Sequence, residues 1–302
     1  MTKQKWKKIF QVFLGIAGIG GSLSTLVFFM VSNTFSFPPL KITLLISLLI
    51  IIEILARSLR LKKLLSYSKF SLPLWKSIKI NLVGDVFASI TPARVGGEIS
   101  RASFLQKHCN GLKMASFKLV AENANDYISL FFLVALFGSY LLFTSTEALM
   151  QKNIFVALLV FGLIISSLTG VLFILVRKKI LPRNFSHFSY RPELLLYTSI
   201  HHIIRIGMLP LLLSFFSSSL FDAATFAWSF FFIYAFNLLP LPSGGGTIEL
   251  SFTHIFDNAL GNNLATALIW WRMFSHYSYV ILGSAFLLGD LWKKIGSHEK
   301  ET

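Results

Sequence analysis

The residues with chemistry to offer lie in two Pro/Gly-rich breaks and in a few charges set on oily runs. The first break reads Thr91-Pro92-Ala93-Arg94-Val95-Gly96-Gly97-Glu98-Ile99-Ser100-Arg101. Pro92 disfavours helix at Thr91, and Gly96 and Gly97 permit close approach or unusual dihedrals. A helix starting near Val95 would leave free N–H groups able to receive an anion. The second break reads Asn237-Leu238-Leu239-Pro240-Leu241-Pro242-Ser243-Gly244-Gly245-Gly246-Thr247-Ile248-Glu249. Pro92 and Pro242 stand 150 apart (242 − 92), as do Gly96 and Gly246, and Glu98 and Glu249 stand 151 apart (249 − 98).

Charges on the apolar runs extend this match. Glu53, Arg57 and Arg60 share one run, His201, His202 and Arg205 another, Glu122 and Asp126 a third, and Arg272 lies between Trp271 and Met273. Arg57 and Arg205 are 148 apart (205 − 57); Glu122 and Arg272 are 150 apart (272 − 122), with the sign reversed. The pattern reads as an internal duplication. An arginine at the bilayer centre costs from about 2.5 to over 10 kcal/mol, so Arg272 is expected to face protein or water. Guanidinium forks match phosphate oxygens with paired N–H bonds, which makes Arg205 and Arg272 candidate phosphate ligands. The competing role for Arg272 is an ion pair with Glu249, Glu98 or Glu122 that fixes helix packing. Arg57 and Arg60 have a further option, snorkelling to the inner interface. Glu98 and Glu249 have three: capping a helix N-terminus, holding the arginines, or taking up a coupling proton. Asp85 and Asn81 suit hydrogen bonding within the first break's leading arm, and Asn81 is kept among the headgroup-facing candidates.

Other chemistries find little support. His201-His202 lack the i,i+4 partner of a helical metal pair and the chain has one cysteine, Cys109, so no metal site is expected. No nucleophile elbow, P-loop or dinucleotide fingerprint occurs, and no cofactor is expected. The aspartates (85, 126, 222, 257, 290) are scattered, without an acidic pair suited to a sugar-nucleotide metal.

The elements that must position these residues are membrane spans. The 302 residues are 54% hydrophobic and 14% charged, with mean hydropathy +0.68, where a soluble domain carries about 25% charge. Spans long enough for a core of about 30 Å are predicted at 9–32, 40–61, 112–146, 154–176, 194–220 and 262–289. The first break sits in a region at 69–108 and the second occupies 223–258. The run after Lys3, Lys5, Lys7 and Lys8 reads as an uncleaved anchor. The net charge of +15 invites a nucleic-acid reading, but its distribution favours a membrane face: with both breaks re-entrant and the N-terminus cytoplasmic, 24 of the 28 lysines and arginines fall on or near the inner side. The expected fold is an all-α polytopic membrane protein, a single integral domain over 1–302. It has about six transmembrane helices plus two re-entrant helical hairpins, built as an inverted repeat with halves at about 9–146 and 154–290. In such architectures the substrate site lies near the midplane, and irregular backbone lines a cavity.

The pattern Asn81…Pro92-Ala93-Arg94-Val95-Gly96-Gly97-Glu98…Arg101, then Pro240-Leu241-Pro242-Ser243-Gly244-Gly245-Gly246…Glu249, then Arg272, resembles the lysylphosphatidylglycerol synthase transmembrane family over roughly 10–290. That family includes the N-terminal flippase domain of the bifunctional lysyl-phosphatidylglycerol synthase/flippase. It also includes stand-alone proteins labelled flippase-like or dolichol-phosphate glycosyl-transfer proteins. The resemblance implies movement between leaflets of an anionic or aminoacylated phospholipid or a polyprenyl phosphate. Carried over by position, Arg94, Gly97, Glu98 and Arg101, and Pro242, Gly244, Gly246 and Glu249, are the residues implicated. The sequence ends twelve residues after Asp290 (302 − 290), so no aminoacyl-transferase domain is expected.

The expectation is therefore a lipid translocase and not an enzyme. Its headgroup contacts are drawn from Arg57, Arg60, Asn81, Pro92, Arg94, Gly96, Gly97, Glu98, Arg101, Glu122, Asp126, Arg205, Asn237, Pro242, Gly244, Gly245, Gly246, Glu249 and Arg272. With no ATP site, coupling must be downhill or ion-driven. The alternative is a membrane enzyme of lipid-linked sugar or phosphate transfer, using Glu98 or Glu249 as acid/base. A non-catalytic membrane partner leaves the intramembrane arginines unexplained. Expected partners are membrane lipids with anionic headgroups and no nucleic acid, with a homo-oligomer and a separate lipid-modifying enzyme left open. The expected location is the cytoplasmic membrane, both termini inside.

Overall fold

The structure is a computed structural model that describes residues 37–91, 94–144, 191–235 and 247–298. The spans expected at 9–32 and 154–176, most of the basic loop, Pro92, and the second break from Asn237 through Gly246 lie outside the described residues. Among the described residues every regular element is helical: α1 (Leu40–Ser66), α2 (Leu74–Ile90), α3 (Val95–Leu105), α4 (Leu112–Thr144), α5 (Pro192–Phe216), α6 (Ala223–Phe230), α7 (Thr247–Leu260), α8 (Leu264–Arg272) and α9 (Ser278–His298).

Three of these, Leu40–Ser66, Leu112–Leu136 and Pro192–Phe216, are long and apolar enough to cross a membrane. At a rise of 1.5 Å per residue each covers about 38–40 Å, more than a hydrocarbon core needs. Their starts follow from local chemistry. Pro39 stands at the N-cap of α1 with an extended backbone, and Pro192 opens α5, where a missing N–H costs nothing. Gly111, at φ +93°, turns the chain into α4.

One expectation needs correction. The span predicted over 262–289 is not one uniform helix: α8 ends at Arg272, a π-helical turn follows at Met273–Tyr277, and α9 continues to His298. The region expected to hold the second re-entrant helical hairpin, 223–258, is helical where described, with α6, a π-helical turn at Phe231–Ala235, and α7. Asp222 starts α6 by accepting a hydrogen bond from the Thr225 amide at 2.8 Å.

The chain forms two compact units, each discontinuous in sequence. One takes, of the described residues, Lys79–Arg101 without 92–93 and those from Thr247 on, and so holds α7 together with most of α2 and α3. Within it, α2 and α3 meet through small residues. A Cβ on Gly97 would lie 2.8 Å from the Ala88 Cβ and 3.0 Å from the Gly84 carbonyl. Helix α9 crosses α2 at Gly283, whose added Cβ would come within 2.2 Å of the Leu82 carbonyl oxygen. Lys79 and Asp290 pair between the same two helices. Helices α7 and α8 form a hairpin through Gly261–Asn263, with Phe252 stacked on Trp271 at 5.7 Å between ring centroids.

The other unit, Pro38–Ile78 and Ala102–Phe236, packs α5 against α1, α4 and α6. Two apolar clusters bracket its middle. Leu64, Ala121, Ala124 and Leu194 form one; Leu130, Leu133, Val134, Ile206, Ala227 and Phe230 form the other. Between these clusters α4 and α5 bury polar side chains, Asn125 and Ser129 on the one and Thr198, His201 and His202 on the other.

Candidate functional site

That polar layer falls at the midpoints of the three spans. Glu53 stands thirteen residues from either end of α1. Glu122 and Asp126 flank the centre of Leu112–Leu136, and His201, His202 and Arg205 surround the centre of α5. On each helix the polar residues repeat at i, i+3, i+4 or i+7, giving one face. These are Glu53, Arg57 and Arg60; Glu122, Asn125, Asp126 and Ser129; Thr198, His201, His202 and Arg205.

Arg60 ties the layer together. Its Nε and Nη2 donate to Glu122 Oε1 at 3.0 and 2.8 Å, and its Nη1 donates to Asp126 and, at 3.2 Å, to Thr198 Oγ1. Only 2% of Arg60 is exposed, so it does not snorkel; the two carboxylates hold it inside. Glu53, fully buried, has Oε1 2.6 Å from His201 Nδ1, 3.8 Å from Arg57 Nε and 4.0 Å from Arg205 Nε. His202 Nε2 lies 3.1 Å from Asp126 Oδ1, and its Nδ1 is 2.5 Å from the Tyr234 hydroxyl. Three carboxylates and three arginines balance among these residues. The balance makes burial tolerable, since each lone charge would be strongly destabilising. Asp126 is the most open member of the three carboxylates and three arginines, with 21% of its side chain exposed.

The breaks carry a second set of charges, in the other unit. Thr91 bridges the first break: its Oγ1 donates to the Phe87 carbonyl at 2.8 Å and accepts from the Gly96 amide at 2.9 Å. Arg94, at φ +59°, reaches back so that Nη2 lies 3.5 Å from Asp85 Oδ1. Glu98, in the first turn of α3, accepts from Arg101 at 3.2 Å. Glu249, in the first turn of α7, lies 3.0 Å from Arg272 Nε. Of the three roles open to Glu98 and Glu249, the geometry contains two: a negative charge in the first turn of a helix and a contact to an arginine. Arg272 also sits 5.8 Å over the Tyr277 ring, at the π-helical turn that follows it. Such turns are frequent where a helix serves a site.

The sequence-predicted residues thus divide in two. Arg57, Arg60, Glu122, Asp126 and Arg205 come together in the span layer, while Asn81, Arg94, Gly96, Gly97, Glu98, Arg101, Glu249 and Arg272 belong to the other unit. Asn81 is buried, as is Arg101, whose side chain covers Gly84. Pro92, Asn237, Pro242, Gly244, Gly245 and Gly246 lie outside the described residues. Sequence reasoning left Glu53, Thr198, His201, His202 and Tyr234 out of the site. The three polar helix faces were the signal that could have found the first four. The expectation of no metal site treated the histidines alone. The structure adds Asp126 and brings three ligand atoms within 4.8 Å of one another. Arg60 holds the same Asp126 oxygen, so a divalent ion there would sit against a guanidinium.

One family model, described as the lysylphosphatidylglycerol synthase TM region, matches residues 9–283. No curated protein and no solved structure matched the chain.

Proposed function

Because the chain belongs to the lysylphosphatidylglycerol synthase TM-region family, a family of membrane proteins with a lipid-related role, we propose that it is a lipid translocase that moves an anionic or aminoacylated phospholipid, or a polyprenyl phosphate, between leaflets. The observation that carries this reading is the polar layer at the midpoints of three apolar spans. Spans used only as anchors gain nothing from three carboxylates and three arginines at that depth, and intramembrane ionisable groups mark substrate and ion pathways. Arg57 and Arg205 both reach the carboxylate of Glu53, which brings two guanidinium forks together in a form suited to a phosphate. Arg272 and Arg94, each beside one carboxylate, are the corresponding candidates at the breaks. In this reading the protein does no covalent chemistry, lies in the cell membrane with both termini cytoplasmic, and works by alternation of inverted halves.

The test is reconstitution in vesicles of fluorescently headgroup-labelled phosphatidylglycerol, phosphatidylethanolamine and phosphatidylcholine, with leaflet exposure read by dithionite quenching. Faster equilibration of the anionic lipid than in protein-free vesicles is expected, with every lipid recovered at unchanged mass. Equal rates with and without protein, or a chemically altered lipid, would overturn the reading.

A further inference from the structure

We propose that His201 and His202 form a proton-binding site that takes one proton per chain and couples its uptake to binding of an anionic headgroup. The coupling rests on the translocase reading above; the proton site itself stands on geometry. The two rings are 4.7 Å apart, centroid to centroid, and almost wholly buried. Each turns one nitrogen toward a carboxylate: His201 Nδ1 to Glu53 Oε1 at 2.6 Å, and His202 Nε2 to Asp126 Oδ1 at 3.1 Å. Yet these two nitrogens and both oxygens of Glu53 are buried without a well-formed hydrogen bond. Leaving such groups unsatisfied is costly, and a proton shared toward either carboxylate would make a charge-assisted bond.

The surroundings fix how many protons fit. Helix α1 presents Glu53, Arg57 and Arg60; α4 presents Glu122 and Asp126; the turn after α6 presents Tyr234; α5 itself adds Arg205. Among the described residues of the layer the three arginines and three carboxylates cancel, so neutral imidazoles leave these side chains without net charge. One proton brings them to a single positive charge. A second would put two imidazoliums side by side among three guanidiniums, which like-charge repulsion opposes. Imidazole is the side chain that changes charge near neutral pH, and a proton needs no coordination shell, so Arg60 on Asp126 does not block it. Asp126, the open carboxylate, is its route in. Once positive, the layer favours an anion beside Arg57 and Arg205, and by reciprocity the anion favours the proton.

The experiment is histidine NMR on the full chain in nanodiscs of phosphatidylcholine alone and with added phosphatidylglycerol. The His201 and His202 signals are identified with His201→Gln and His202→Gln. The expected result is one proton bound by the pair between about pH 4 and 8, with affinity raised at least about fivefold by phosphatidylglycerol. Tyr234→Phe should shift the His202 signal, which identifies it even where a glutamine variant fails to fold. Signals constant across that range, two protons bound independently, or equal affinity in both membranes would overturn the proposal. Lipid-linked protonation without vesicle transport would instead overturn the translocase reading and leave the proton site standing.

Discussion

Replacing Arg60 by methionine isolates the central ion-pair system. Arg60 donates two hydrogen bonds to Glu122, one to Asp126 and one to Thr198. Methionine fills similar length but leaves Glu122, fully buried, and Asp126 facing each other without their shared cation. Removing one partner of a buried pair costs about 3–5 kcal/mol, because the remaining charge stays buried. On the soluble-domain scale of about 2–4 °C per kcal/mol, apparent Tm should fall by about 6–20 °C. The assay is heating in detergent followed by size-exclusion chromatography, scoring the monodisperse fraction. Neutralising the orphaned carboxylates in Arg60→Met/Glu122→Gln/Asp126→Asn should recover most of the loss, as replacing a whole buried network often does. Arg60→Lys, which keeps charge but not the fork, should fall between. An Arg60→Met protein within about 2 °C of the parent, less than 1 kcal/mol on the same scale, would refute the reasoning.

Other expectations are independent of this layer. Gly283→Ala should sharply reduce folded yield, since its Cβ would press on the Leu82 backbone at 2.2 Å, whereas Gly289→Ala, with open space around it, should be silent; fluorescence size-exclusion of detergent extracts compares them. Thr91→Val should lower apparent stability by about 1 kcal/mol through loss of the bond to the Gly96 amide, read in the same heating assay. Burial pushes the Cys109 thiol up, against the pull of Lys118. A folded state that raises a thiol's pKa holds it protonated, so alkylation by iodoacetamide should be slow at neutral pH and rise only above the ordinary thiol range. Unfolding should abolish that difference. A Cys109 that reacts at neutral pH like a free thiol would contradict its buried setting.

Much of the scaffold was legible because it depends on one-dimensional signals. The start of α1 at Leu40 and of α4 at Leu112 coincides with the predicted spans, since Pro39 and Gly111 mark both in the sequence. The first break was visible in Pro92 and the glycines: Gly96 and Gly97 lie where α3 closes on α2. What remained hidden depends on pairing between helices distant in sequence. Arg60 counted as an inner-face charge by composition, but Glu122 and Asp126, more than sixty residues on, draw it inside. His201 and His202 looked isolated for the same reason: their carboxylates come from α1 and α4. The π-helical turn after Arg272 left no mark, as Met273–Tyr277 holds neither proline nor glycine. The tight crossing at Gly283 was equally silent, because what demands glycine there is the backbone of another helix.

The measurement that bears most directly on the account is leaflet equilibration of labelled phosphatidylglycerol in vesicles holding the parent protein, Arg205→Gln or Arg272→Gln, each at matched folded content. The account predicts a parent rate well above protein-free vesicles and a loss of at least about tenfold in each variant, the kinetic equivalent of about 1.4 kcal/mol. Variants that move the lipid as fast as the parent would contradict it.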